Sequence, residues 1–151
     1  MYARTSSDET KGEFPMLKII MGLKGSGKTK KLIDSINETI TQTNGSVICI
    51  EKGDALRFDV SYRCRLIDAG EYQLYGYTFL KGFLCGLHAG DRDITNVFID
   101  SFYKIIAEPD TAKTDEFLAW CDEFGQKNNV NFTILLSQDP ETATETMKKY
   151  L

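Results

Sequence analysis

The 151-residue chain fits one domain that can bury a core, and 42% hydrophobic against 26% charged residues describe a globular protein, not a disordered or fibrous one. The net charge of -4 argues against a broad basic face for duplex nucleic acid, so nucleic acid is not an expected partner. No run reaches the roughly 18 apolar residues of a membrane helix; residues 75–90 come nearest and contain Lys81, His88 and four glycines, so a cytoplasmic protein is expected.

Residues 1–15 are polar and lack a signal-peptide core, and Met16 opens the first strand-like run. The expectation is an unstructured or added leader over 1–15 and one domain over 16–151. Residues 17–21 form a short apolar run ending in glycine, and 28–43 then place Leu32, Ile33, Ile36 and Ile40 at helical spacing. After the Thr43-Asn44-Gly45 turn, 46–51 read as a strand covered on both faces and ending on Glu51.

Residues 53–61 read as loop or a short turn of helix, and 64–68 as a short strand whose Arg65 suits a sheet edge. A helix is expected over 71–89, with its aromatics mainly in the core, although Gly76, Gly82 and Gly86 weaken it. Residues 96–100 give another buried strand. The helix over 113–128 carries Phe117, Leu118, Trp120, Cys121 and Phe124 inward. A last strand at 131–136 ends in Ser137-Gln138, and 140–151 predict a terminal helix with Asp139 as N-cap and Pro140 in its first turn.

Strands separated by helices, with continuous apolar runs, imply an α/β fold: a three-layer α/β/α sandwich with a mainly parallel sheet. Ligands of such sheets bind at the carboxyl ends of the strands, so the polar residues ending each run are candidate site residues. Cys49, Cys64, Cys85 and Cys121 form no CxxC pair and read as reduced, buried thiols. His88 has no visible partner and reads as a helix-packing residue.

Gly22-Leu23-Lys24-Gly25-Ser26-Gly27-Lys28-Thr29 matches G-x-x-x-x-G-K-[ST], between a predicted strand and a predicted helix. The glycines let backbone N–H groups point at phosphate oxygens, reinforced by the helix N-terminus behind them. Lys28 would reach the β- and γ-phosphates, and the Thr29 hydroxyl would help hold Mg2+. Leu23, Lys24, Ser26 and Lys30 complete the set expected to contact the nucleotide. Lys24 is read as facing solvent, because Leu23 separates it from Gly22 and removes the spacing of a lysine that serves a neighbouring subunit.

Val97-Phe98-Ile99-Asp100 has the Walker B form, an apolar strand delivering a carboxylate for Mg2+. Ser101 stands where many such ATPases carry a glutamate, so a catalytic base must come from elsewhere. The pattern over residues 17–138 resembles the additional-strand, RecA-like P-loop NTPases, and short bacterial ATP-binding proteins of uncertain role among them. That resemblance implies that Glu51, ending the strand after the P-loop helix, polarises the attacking water beside the Walker B strand. It also implies that Ser137 or Gln138 senses the γ-phosphate.

The function expected is an ATP-binding, Mg2+-dependent ATPase, with Lys28, Glu51 and Asp100 catalytic. A nucleotide-dependent switch or assembly module with slow turnover is the alternative, with a homo-oligomer or protein partner. A small-molecule kinase ranks lower, since no arginine-rich lid stands out; thymidine kinases share the core, but their paired Walker B glutamate and cysteine-rich lid are missing. Arg63, Arg65 and Arg92 are candidates for an arginine finger across a subunit boundary.

Overall fold

The computed structural model describes residues 14–151, so the expected leader lies, up to residue 13, outside the described residues. In chain order the elements are β1 (Leu17–Gly22), α1 (Lys28–Gln42), β2 (Ser46–Glu51), β3 (Cys64–Asp68) and α2 (Tyr77–Gly90). There follow β4 (Ile94–Ile99), α3 (Phe102–Ile106), α4 (Thr111–Asn128), β5 (Asn131–Ser137), a 3-10 turn (Pro140–Thr142) and α5 (Glu145–Lys148).

The five strands form one sheet in the order β1-β5-β4-β2-β3, and every pairing is parallel. Strand alternation divides the core in two. Ile48, Ile50, Val97, Ile99, Ile134 and Leu136 pack with α2, α3 and α4 on one face. Val47, Cys49, Phe98 and Leu135 meet Leu32, Ile36 and Ile40 of α1 on the other. A sheet buried on both faces makes three layers, and it explains why the strands read as unbroken apolar runs. The architecture matches a RecA-like α/β/α fold.

β3 occupies a sheet edge, as its interrupting Arg65 suggested. At the other edge the chain end returns along β1, where the Ile19 N–H donates to the Tyr150 carbonyl at 2.8 Å. Tyr150 also donates its hydroxyl to Asp122 of α4 (3.0 Å).

Four expectations are corrected. The helix expected from 71 begins only at Tyr77, because Gln73 (φ 53°) and Gly76 (φ 95°) take left-handed backbone that a helix cannot continue through. Its aromatics are not mainly core, for Tyr72, Tyr75 and Phe79 are exposed. The terminal helix is broken at Ala143 and Thr144, whose extended backbone ends the 3-10 turn capped by Asp139 and starts α5. Cys85 is exposed, while the other three thiols are buried; the outer face of α2 leaves it in water. His88 stacks edge-on against Phe124 of α4, centroids 5.6 Å apart, a packing role as expected.

Candidate functional site

The carboxyl ends of the parallel strands gather Gly22, Glu51, Asp68, Asp100 and Ser137 at one end of the sheet. β1 delivers Gly22 in register with Ser137 of β5, so the start of the glycine loop lies beside an exposed hydroxyl. The loop closes through the Ser26 N–H, which donates to the Leu23 carbonyl at 3.1 Å. Gly25 (φ 84°) and Gly27 (φ 83°) adopt left-handed backbone that costs an L-residue roughly 1–2 kcal/mol. Gly22 is needed for a different reason: a Cβ there would sit 2.1 Å from Ser26 Oγ and 3.5 Å from Lys28 Cδ. The Ser26 and Lys28 side chains therefore fold back over Gly22.

Gly27 is the N-cap of α1, with no side-chain cap and no acidic residue in the first turn. Its carbonyl accepts from the Lys31 N–H at 3.2 Å. The N–H groups of Lys28, Thr29 and Lys30 precede that bond and have no intrahelical acceptor. They point to where a helix dipole attracts an anion. Thr29 is exposed and Lys28 half-buried, whereas the Lys30 ammonium is drawn away to Asp34 at 3.1 Å. Leu23 and Lys24 are exposed at the loop's tip, as expected of Lys24.

Asp100 follows β4 and is separated from Gly22 by one strand, β5, which puts their backbones about 10 Å apart. Its N–H continues the sheet by donating to the Ile50 carbonyl at 2.8 Å, and this brings it beside Glu51. Ser101 (φ 58°) turns the chain sharply into α3 and donates its hydroxyl to Asp100 Oδ2 at 3.4 Å.

Glu51 lies next to the Asp100 strand, as expected, but only 2% of it is exposed. Its Oε1 accepts from the Leu56 N–H at 3.4 Å, while Oε2 is buried without a partner among the described residues. Burial pushes this carboxyl up, and the nearby Asp100 and Asp54 add to the effect against the opposing Leu56 and Ala55 N–H groups. Asp68, in register with Glu51, accepts from the Gly53 (2.9 Å) and Gly70 (2.8 Å) N–H groups, which hold its carboxyl below the usual range. It pins the start of the loop that follows β2 and the start of the loop that follows β3.

The Gln138 side chain is engaged within the fold. Its Oε1 accepts from the Tyr103 hydroxyl of α3, and its Nε2 donates to Thr142 Oγ1 at 3.0 Å. The side chain ties α3 to the chain end, and Ser137 is the residue that borders the loop. Arg63, Arg65 and Arg92 are exposed. Arg63 lines a cleft with Asn44, Gly45 and Asp93, at the opposite end of the sheet from Gly22, whereas Arg65 lines both that cleft and the one at the carboxyl ends of β2 and β3 beside Glu51 and Asp68. Sequence reasoning missed Asp68 as a clamp and the Tyr103–Gln138–Thr142 chain. The first had a signal, a carboxylate ending a strand; the second joins residues 35 and 4 positions apart and had none.

No protein-family model matches the chain, and no curated protein matches it by sequence. Among solved structures it is similar to the flagellar accessory protein FlaH from Methanocaldococcus jannaschii, at 15% identity and a TM-score of 0.56, covering 99% of this chain and 73% of that one. At that identity the likeness concerns the fold.

Proposed function

We propose that the chain binds Mg-ATP on residues 22–29 and hydrolyses the β–γ phosphate bond. The observation that carries the reading is a loop shaped by left-handed glycines at the carboxyl end of β1, leading into a helix N-terminus without a cap or acidic residue. An unmet row of N–H donors with Lys28 folded beside it suits a polyphosphate.

Thr29 and Asp100 offer one hydroxyl and one carboxylate. Those hard oxygens suit Mg2+, which keeps several waters and takes one or two carboxylates together with phosphate oxygens. Among the described residues no three His, Cys, Asp or Glu side chains gather into a metal cluster, so a shared ion fits this donor set better than a protein-only cage. When bound, the ion would offset charge on the phosphate oxygens. The loop N–H groups and the Lys28 ammonium hold the phosphate chain. Ser137, in register with Gly22, reads its end. Glu51 orients water and takes its proton as the water oxygen bonds to the γ-phosphorus and the bridging oxygen leaves with the diphosphate.

The test is phosphate release by the pure protein, unmutated and as Lys28→Ala and Glu51→Gln. Loss of turnover in both supports the proposal, and failure to bind any nucleoside triphosphate overturns it. A second reading, a slow nucleotide-dependent switch that engages a partner or a second copy, is favoured by Ser101 following Asp100 and by the near-complete burial of Glu51. Tight ATP binding without phosphate release would select it.

A further inference from the structure

β3 is the last strand of the sheet and pairs on one side only, with β2. The Ala69 N–H donates to the Glu51 carbonyl at 2.7 Å, so residue 69 turns its backbone toward β2. By strand alternation Arg65 and Ile67 do the same, and Cys64, Leu66 and Asp68 turn their backbone groups outward. Two of those outward groups are already used: the Cys64 N–H donates to the Ser61 carbonyl (3.0 Å), and the Asp68 carbonyl accepts from the Glu71 N–H (3.1 Å). Open among the described residues are the Cys64 carbonyl, both Leu66 groups and the Asp68 N–H.

These groups complement themselves about a twofold axis. With β3 of a second copy running antiparallel and Leu66 opposite Leu66, each Leu66 N–H meets the other Leu66 carbonyl. Each Asp68 N–H then meets the Cys64 carbonyl of the other copy. The pairing uses every open group and none that is occupied. A head-to-tail stack lacks this match, because the far edge of the sheet is met by the chain end, where the Ile19 N–H donates to the Tyr150 carbonyl at 2.8 Å.

Charge favours the same arrangement. Arg63 and Arg65 stand at the amino end of β3 and Glu71 just past its carboxyl end, and none of the three forms an ion pair among the described residues. Antiparallel pairing sets Arg63 opposite Ala69 and toward Glu71 of the other copy, and Arg65 opposite the apolar Ile67. Tyr62, before the strand and 95% exposed, comes to the end that carries the exposed Tyr72. The half-buried Leu66, Ile67, Phe83 and Leu87, which wall a cleft of about 540 Å³ at this edge, gain a cover.

We propose that β3 is a homodimer interface, in which two copies pair β3 with β3, antiparallel about an axis at Leu66, and join their five-stranded sheets. An open strand edge is a template for another strand, and a twofold pairing closes it. The contact needs no nucleotide, so it stands or falls apart from the ATPase reading.

The experiment is sedimentation equilibrium of the full chain without nucleotide. Twice the chain mass is expected, with a dissociation constant of about 10 μM or tighter. Leu66→Pro removes an N–H that β2 does not use, at an edge position where proline is tolerated. It should give a monomer with an unchanged melting temperature. Glu71→Arg should weaken pairing about tenfold, through two symmetry-related contacts, and adding Arg63→Glu should restore it. A monomeric unmutated protein, a dimer that survives Leu66→Pro, or no recovery in the double variant would overturn the proposal. Should Leu66→Pro fail to fold, hydrogen exchange of the unmutated protein decides: the Leu66 and Asp68 amides should slow as concentration rises, and fast exchange at every concentration would overturn it.

Discussion

The glycine loop and the Glu51 carboxylate lie at the same end of the sheet and are built in opposite ways. The loop is backbone: its N–H groups, two left-handed glycines and a helix end stand open to water, and its neighbour Thr29 is exposed. Glu51 is a side chain sealed under the loop that follows it, with one oxygen bonded to Leu56 and the other without a partner among the described residues. An anion site can be preorganised in water, because amide dipoles lose little there. A carboxylate held out of water is tuned by its surroundings, at a cost to the fold. One region is set by local conformation, the other by what packs around it.

The largest effect separates ligand chemistry from folding. Lys28→Ala should lower phosphate release about 100-fold or more, the scale for losing one charge-stabilising donor. Its melting temperature should stay nearly unchanged, since the side chain is only half-buried. A large drop in melting temperature would mean that the lysine holds the loop together and would erase the contrast.

Glu51→Gln should cost about 100-fold in turnover yet stabilise the protein by roughly 1 kcal/mol near neutral pH. The sign follows from linkage. A carboxyl whose folded pKa is raised above its ordinary 4.5 destabilises the fold where the unfolded chain is ionised. That penalty is withdrawn as pH falls through the folded value. Urea denaturation of both proteins across the acid range should therefore show the advantage of the variant at neutral pH and its disappearance in acid. Phosphate release should also fail, on acidification, above the pH at which an ordinary carboxylate protonates.

Gly27→Ala probes the backbone side of the comparison. At φ 83° an alanine should cost about 1–2 kcal/mol in the urea midpoint and weaken ATP binding with it. Nothing lies within 4 Å of its Cβ, so the effect would be conformational and not steric. The smallest effect is expected at Ser101, the non-glycine residue at φ 58° after Asp100. Ser101→Gly should stabilise by roughly 0.5 kcal/mol, the net of relieved strain and added chain entropy. A large fall in phosphate release from that variant would instead show that the hydroxyl on Asp100 matters to the site.

Much of the fold was legible because its signals are local. Unbroken apolar runs such as 46–51 marked strands buried on both faces, and Arg65 marked the edge strand. The start of α2 was not legible, since the left-handed turn at Gln73 breaks a spacing that would otherwise continue a helix. The exposure of Tyr72, Tyr75 and Phe79 was not legible either, because an aromatic at helical spacing looks the same whether or not another element covers it. The tie between Gln138, Tyr103 and Thr142 depends on two helical segments meeting past the end of β5.

For the candidate site the division is the same. The sequence by itself determined the glycine loop, because spacing and the need for left-handed backbone are written in eight consecutive residues. It also set which strands end in Glu51, Asp68 and Asp100. Only the tertiary structure decided what those carboxylates became. Strand order placed Asp100 beside Glu51, two backbone N–H groups captured Asp68, and the covering loop shut Glu51 from water with one oxygen unmet among the described residues. Burial and neighbouring charge belong to the packed fold and cannot be read along the chain.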